Sequence, residues 1–416
     1  MRHKFQAESV YLVLTGLYTF TFSLVLTVAL VYQTQEAGLN PFQLVITGTA
    51  TQVGVLLFEI PTGVLADLRG RRLSVITGIG AMGLAYTLMG ASTSFWTILA
   101  AQSILGVGLT FVSGAQEAWI ADEVGVENAG RVYLRSAQTM QYGRLAGIPA
   151  GVGLGLISLS IPILFGGFMF AATGLLMFFI MPETGFRRSE AAEGSVRIGF
   201  ARTLKEGARV VRTKSILVTL FAMVAFYETA GEVFNRLNVA HFIEDIGFPA
   251  IGHFEPVVWF GIMRMASAVV GIALLQYVRH RADTSSHEVL SRWLMRINLL
   301  QLASLLAFAF TTEFWTGMLV SLSATNLSRA FQPLYIALIN LHVDSSVRAT
   351  VISMSSQVDS LGQVLGGPLL GVVGSLVSVR AALVGTSLML GPAVALNFLA
   401  IGQYRRTQLA GGQPAE

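Results

Sequence analysis

Apolar runs of about 20 residues, the length a helix needs to cross a bilayer, alternate along this chain with short polar breaks. The runs lie near 10–32, 42–66, 73–91, 95–121, 135–158 and 161–181. Six more lie near 214–241, 255–278, 290–311, 314–341, 350–377 and 380–402. A transmembrane barrel would instead show segments of about 10 residues with alternating polarity. The pattern predicts an all-α polytopic membrane protein of twelve helices. A first bundle of six spans 1–181, a polar basic linker spans 182–213, a second bundle spans 214–402, and a tail spans 403–416.

Composition agrees with this pattern. Hydrophobic residues make up 53% of the 416 and charged ones 12%, with mean hydropathy +0.65. Soluble proteins carry about 25% charged residues, so most of this surface does not face water. In lipid the backbone must satisfy its own hydrogen bonds, which helices do. The chain has no cysteine, which removes disulfides and thiolate chemistry. His3, His241, His253, His280, His287 and His342 sit at run ends or in loops, without metal-ligand spacing. No metal or cofactor is expected.

The basic start, Met1-Arg-His-Lys4, precedes a run too long for a signal peptide and reads as an uncleaved first span. The net charge of +4 is not gathered on one soluble face, so nucleic acid is not an expected partner. Lysines and arginines instead follow topology. Arg69, Arg71, Arg72, Arg131, Arg135, Arg279, Arg281 and Arg348 fall in alternate loops, and Arg380 is the main exception. The positive-inside rule then places both termini and the linker in the cytoplasm, with the chain in the plasma membrane.

The halves repeat. Ser136-Ala-Gln138 recurs as Ser355-Ser-Gln357. Gly143, Gly147, Pro149 and Gly155 recur at one constant offset as Gly362, Gly366, Pro368 and Gly374. Duplicated halves put a substrate site at their interface near the midplane. Gly-x3-Gly spacing lets helix backbones approach closely, and the prolines weaken the helix enough to permit bending.

The end of the second run reads Glu59-Ile-Pro61-Thr-Gly63-Val-Leu-Ala-Asp67-Leu-Arg-Gly70-Arg71-Arg72. This stretch resembles the major facilitator signature between the second and third helices. The resemblance implies two pseudo-symmetric six-helix bundles working by alternating access. It implies that Asp67 caps the eleventh span near Thr350, where a helix N-terminus favours an anion. It implies that Arg71 pairs with Asp122, holding the cytoplasmic side shut. Gly70 suits a tight turn. The extended form that includes Glu59 resembles certain tetracycline exporters. Where many proton-coupled exporters carry an arginine four residues before a glycine in the fourth span, this chain has Gln102 before Gly106.

Ionisable groups inside a span are costly and point to function. Here they are Glu59, Glu117, Glu228, Glu232 and Asp359, against Arg144, Arg264, Arg329 and the more peripheral Arg236. Glu228, Glu232 and Arg236 recur every four residues and share one helix face, which Tyr227 and Asn235 flank. Two carboxylates one turn apart repel, which favours a bound proton on one of them. Glu59 lies about 12 Å inside the membrane from Asp67 at 1.5 Å per residue, and Asp359 lies at similar depth. The resemblance packs the second and eleventh spans together, so these two could share a proton. Proton coupling is expected at Glu59, Glu228, Glu232 and Asp359. Tyr18, Tyr142, Arg144, Trp259, Arg264, Arg329, Gln332 and Tyr335 are candidates to line the substrate cavity. Gly63, Asp67, Gly70, Arg71, Arg72 and Asp122 are candidates for the cytoplasmic gate.

The function expected from these features is proton-coupled efflux of an amphipathic, drug-like small molecule by a monomer in the lipid bilayer. Proton-coupled uptake of a polar metabolite is an alternative. A membrane enzyme or receptor on the same scaffold is another, although no nucleophile–base set or phosphate loop is evident in the polar segments.

Overall fold

A computed structural model describes residues 2–186, 208–209, 211–251, 254–344 and 347–410. Most of the expected linker and the last residues of the expected tail lie outside the described residues. So do His253 and the basic residues Arg187, Arg188, Arg197, Arg202 and Lys205.

The elements are helices: α1 (Arg2–Gln35), α2 (Pro41–Arg69), α3 (Arg71–Gly90), α4 (Phe95–Val112), α5 (Ala115–Val124), α6 (Val126–Gly155) and α7 (Ser160–Ile180). They continue with α8 (Ser215–His241), a π-turn (Phe242–Ile246), α9 (Pro256–Arg281), α10 (His287–Phe310), α11 (Phe314–Asn340), α12 (Arg348–Leu376) and α13 (Val379–Ala410). The described residues contain no strand. The fourth expected run is two helices, because the chain turns at Ser113 and Gly114 between α4 and α5. With those two counted as one crossing, the order is six spans and then six.

Local sequence sets the helix ends. α2 opens on a capping box: the Asn40 side chain accepts from the Gln43 N–H, and the Gln43 side chain accepts from the Asn40 N–H. Pro41 takes the first turn, where a missing N–H costs nothing. α2 stops at Gly70, whose φ of 112° is closed to residues with a Cβ, and α3 starts at the next residue.

Nine helical segments among the described residues are long and apolar enough to span a bilayer. The long helices outside that set are α6, α11 and α12. They carry Arg144, Arg329 and Asp359, so the sequence runs assigned to them contain more polarity than apolar density suggested. Elsewhere large apolar side chains point outward, as with Phe179, 74% exposed, and Leu319, 66% exposed. Such surfaces require lipid.

The chain divides into two compact units. The first takes the described residues of Met1–Val196 and Ala250–Met265, and the second takes those of Arg197–Pro249 and Ala266–Glu416. In the first unit α1 packs on α6 and α7, and α3 packs on α4 and α7. In the second, α8 packs on α12 and α13, and α10 packs on α11 and α13. These are equivalent pairings in the two halves.

The repeated glycines lie in equivalent seams. A Cβ on Gly143 would stand 2.7 Å from the Gly16 carbonyl oxygen on α1, and one on Gly362 would stand 2.6 Å from the Ala225 carbonyl oxygen on α8. Apolar side chains gain little by leaving lipid for a helix neighbour, so close backbone approach and dispersion supply the attraction in such seams.

Candidate functional site

One end of the first unit gathers the signature residues. Gly70 lets α3 begin immediately after α2, which brings Arg71 to Asp122 at the end of α5, 2.7 Å away. Asp67 lies 3.8 Å from the same guanidinium and is 62% exposed. Gly63 is exposed on α2. The Arg72 N–H donates to Glu183 Oε1 at 2.9 Å. This caps the start of α3, where an anion is favoured. The Arg72 guanidinium donates to the Phe178 carbonyl and lies over the Phe178 ring, 5.7 Å from its centroid.

Beside this corner, Glu123 accepts from the Thr184 N–H (2.6 Å), the Thr184 hydroxyl (2.7 Å) and the Gly185 N–H (2.7 Å). Trp119 Nε1 donates to the Pro182 carbonyl at 2.6 Å. The four residues Pro182 to Gly185, just past α7, thus strap α3 to α5. The sequence reading named Arg71, Arg72 and Asp122 but missed Glu123 and Glu183. The available signal was a Pro-Glu-Thr-Gly run directly after an apolar span. A further pair, Glu8 and Arg135 at 2.5 Å, ties α1 to α6.

Deeper in this unit the polar groups are mostly neutral. Gln102, four residues before Gly106, accepts from the Thr51 hydroxyl at 2.9 Å. Gln33, fully buried, donates to Met89 Sδ at 3.4 Å. Tyr18 packs against the rings of Phe22 and Phe170, each with centroids 5.6 Å away. Trp259 is nearly buried beside Phe254, while Tyr142 is 71% exposed. Arg144, Arg264 and Glu59 are half-buried and Glu117 is exposed. Arg144 has no ion pair among the described residues.

In the second unit the acids lie mid-helix. Glu228 Oε1 on α8 accepts from the Gln332 amide on α11 at 3.1 Å. Asp359 Oδ1 on α12 accepts from the Gln363 amide at 2.9 Å. Glu232 instead holds Arg236 at 2.8 Å. Asp359 is within electrostatic reach of both glutamates. The Tyr335 hydroxyl shares a 2.8 Å hydrogen bond with Ser355, and Arg329 Nη1 donates to the Ser267 carbonyl at 3.1 Å.

Tyr227 lies beside the acidic face, against the residue next to Gln332. It is buried and stacks on Phe331, with centroids 3.6 Å apart and planes 11° apart. Adjacent helix positions differ by about 100°, given 3.6 residues per turn, so a tyrosine next to the acid turns into the helix packing. Gln363 and Ser355 were missed. Gln363 follows Asp359 by four, the spacing that places two side chains on one face.

Histidines also meet. His287 Nδ1 and His342 Nε2 stand 2.8 Å apart, and Tyr404 stacks on His287 at 3.8 Å. Burial, and then the nearby Lys214 ammonium, hold the His342 imidazole below the ordinary histidine range. No cluster of three metal-ligating side chains occurs among the described residues.

Chemically, then, one unit has an end closed by ion pairs. The other has two carboxylates whose hydrogen-bonding side chains, among the described residues, are neutral amides. Either carboxylate can accept a proton without losing its amide contact, since a carboxyl group keeps an acceptor oxygen.

The Major Facilitator Superfamily profile matches residues 11–290 of the chain. The chain is 20% identical over 360 residues to the MFS-type transporter YxaM of Bacillus subtilis (strain 168), covering 84% of each. It is 22% identical over 326 residues to the inner membrane transport protein YajR of Escherichia coli (strain K12), covering 75% of this chain and 65% of that protein. Among solved structures, a variant of the nucleoside transporter NupG superposes with TM-score 0.75 at 13% identity, covering 96% of this chain and all of that one. A bacterial homologue of the human lysosomal transporter Spinster superposes with TM-score 0.74 at 16% identity, covering 96% and 98%. Likeness at that identity shows the fold alone.

Proposed function

The chain belongs to the Major Facilitator Superfamily and is a membrane transporter, and from this premise we propose that it exports amphipathic small molecules in exchange for protons. The observation that carries the proposal is the state of Glu228 and Asp359. Each sits within a helix, each has a glutamine amide as its hydrogen-bonding side chain, and neither has an ion pair among the described residues. A carboxylate kept in a span without a cation is expensive unless its charge can be removed. Protonation removes it. Glu232 differs from them in being paired with Arg236.

In this reading, proton binding at Glu228 and Asp359 favours one orientation of the cavity, and substrate binding favours the other. Arg144, Arg329 and the aromatic candidates Tyr18 and Tyr335 contribute to substrate contacts. The corner of Asp67, Arg71 and Asp122 acts as the gate on the cytoplasmic side, the side to which the basic loops and both termini are assigned. The protein works as a monomer in the plasma membrane.

Liposome transport tests the proposal. Glu228→Gln should abolish substrate movement driven by a pH gradient while leaving downhill substrate exchange in place. Undiminished gradient-driven movement would remove Glu228 from the mechanism.

A further inference from the structure

The end of α8 holds a second group of titratable side chains, away from the acids in mid-helix. His241 is the last residue of α8, and its side chain is fully buried. The Phe308 ring from α10 meets it edge-on, with centroids 4.9 Å apart. Immediately after it the backbone widens into the π-turn, which closes with the Gly247 N–H donating to the Phe242 carbonyl at 2.9 Å. Such turns are rare and concentrate at functional positions.

Both imidazole nitrogens are engaged. Nε2 stands 3.0 Å from the Phe308 carbonyl oxygen, and Nδ1 stands 2.7 Å from Asp245 Oδ2. A carbonyl oxygen can only accept, so Nε2 carries a hydrogen. The contact between Nδ1 and the carboxylate needs another. A neutral imidazole and an ionised carboxylate together have one hydrogen to offer, and the two contacts need two. We infer that His241 and Asp245 form a proton-binding site, which ties the end of α8 and its π-turn to the end of α10 only while the extra proton is bound.

The proton has a route. The His241 side chain has no exposure, but that of Asp245 is 31% exposed, so a proton reaches the pair through Asp245. When the proton leaves, the Nδ1 lone pair faces a carboxylate oxygen at hydrogen-bond distance. Two acceptors repel there, so the turn must shift or the ring must give up the Phe308 carbonyl.

The other charged groups around this end are few. α8 carries Glu232 and Arg236 further down, and the π-turn carries Glu244. Glu313 precedes α11 and Arg380 begins α13, two helices that pack on the π-turn and on α8. The last three turns of α10 carry no charge, and neither does the end of α12. Among the described residues only Asp245 supplies a charged hydrogen-bond partner to the ring. His241 lies thirteen positions from Glu228, about 20 Å along a helix at 1.5 Å per residue, so the two sites can fill independently.

Asp245→Asn separates this inference from ordinary packing. An asparagine amide can donate to Nδ1, so a neutral His241 then satisfies both contacts and no extra proton is needed. Amide exchange over 242–247 would be followed in purified protein at pH 6 and pH 9, without substrate, and corrected for the intrinsic pH dependence of exchange. Protection in the wild type should fall by about tenfold between the two pH values, as expected for a local opening. Asp245→Asn should keep its protection at both. Equal pH dependence in the two proteins would overturn the site. A second measurement does not require the variant to fold. In the wild type at pH 6, the ring nitrogen resonances of His241 and the carboxyl resonance of Asp245 should together account for two hydrogens. A neutral ring beside an ionised Asp245 at that pH would overturn the site equally.

Discussion

The two units share a scaffold and differ in where their charges lie. In the first, acids and bases collect at one end of the helices. Arg71 meets Asp122 and Asp67, Glu183 caps α3, and Glu123 holds the chain after α7. Its interior relies mostly on neutral groups such as Gln33, Gln102 and Thr51, with Glu59, Arg144 and Arg264 as half-buried charged exceptions. In the second, carboxylates stand mid-helix on α8 and α12 beside amides. Paired ions at a helix end hold a shape, and their charges are stabilised by one another. A carboxylate supported by one neutral donor is a poor structural element, which is why the proposed function gives it a proton to bind. Repetition of the helix pairings therefore did not carry repetition of the chemistry.

Four experiments sharpen or break this contrast. The largest effect is expected from Glu228→Gln combined with Asp359→Asn. Transport driven by a pH gradient should disappear in liposomes, whereas Gln33→Leu in the first unit should leave its pH dependence intact. Equivalent losses from both would erase the distinction between the units.

Next is Gly362→Leu, which inserts a side chain where the α8 backbone already lies. Overpacking of this kind costs about 3 kcal/mol, so thermal unfolding in detergent should shift down markedly. Gly143→Leu should do the same, because its seam on α1 is equivalent. A large effect at one seam alone would contradict that equivalence.

Arg71→Ala should cost about 1 kcal/mol or less, since both partners are partly exposed. Exchanging the charges, Arg71→Asp with Asp122→Arg, should recover most of that loss in a double-mutant cycle. The smallest effect is expected from Glu183→Ala, which removes an acceptor at the start of α3 and should cost about 0.5–1 kcal/mol. It should leave the pH dependence of transport unchanged.

Much of the fold was legible in the sequence because lipid imposes a length. A run near 42–66 or 214–241 has few alternatives to a crossing helix, and the observed α2 and α8 end within three residues of it on either side. The glycine seams were legible because Gly143 and Gly362 occupy one register in two halves, and a seam needs a small residue at that place. The partners of the signature were less so. Glu183 acts from a loop more than a hundred residues from Arg72, and no local periodicity links them. The break in the fourth run and the π-turn after α8 went unseen because hydropathy is insensitive to a backbone kink. The meeting of His241 with Asp245 and the Phe308 carbonyl depends on that turn and on a helix 67 positions away.

The seams at Gly143 and Gly362 also supply a gauge. Where backbone touches backbone, no rotamers are available to absorb a sliding motion, so the two helices must travel together as a plate. Spin labels on the outward faces of α1 and α6, or of α8 and α12, should report a separation that stays constant through the transport cycle. Any other distance in the protein can then be judged against these two.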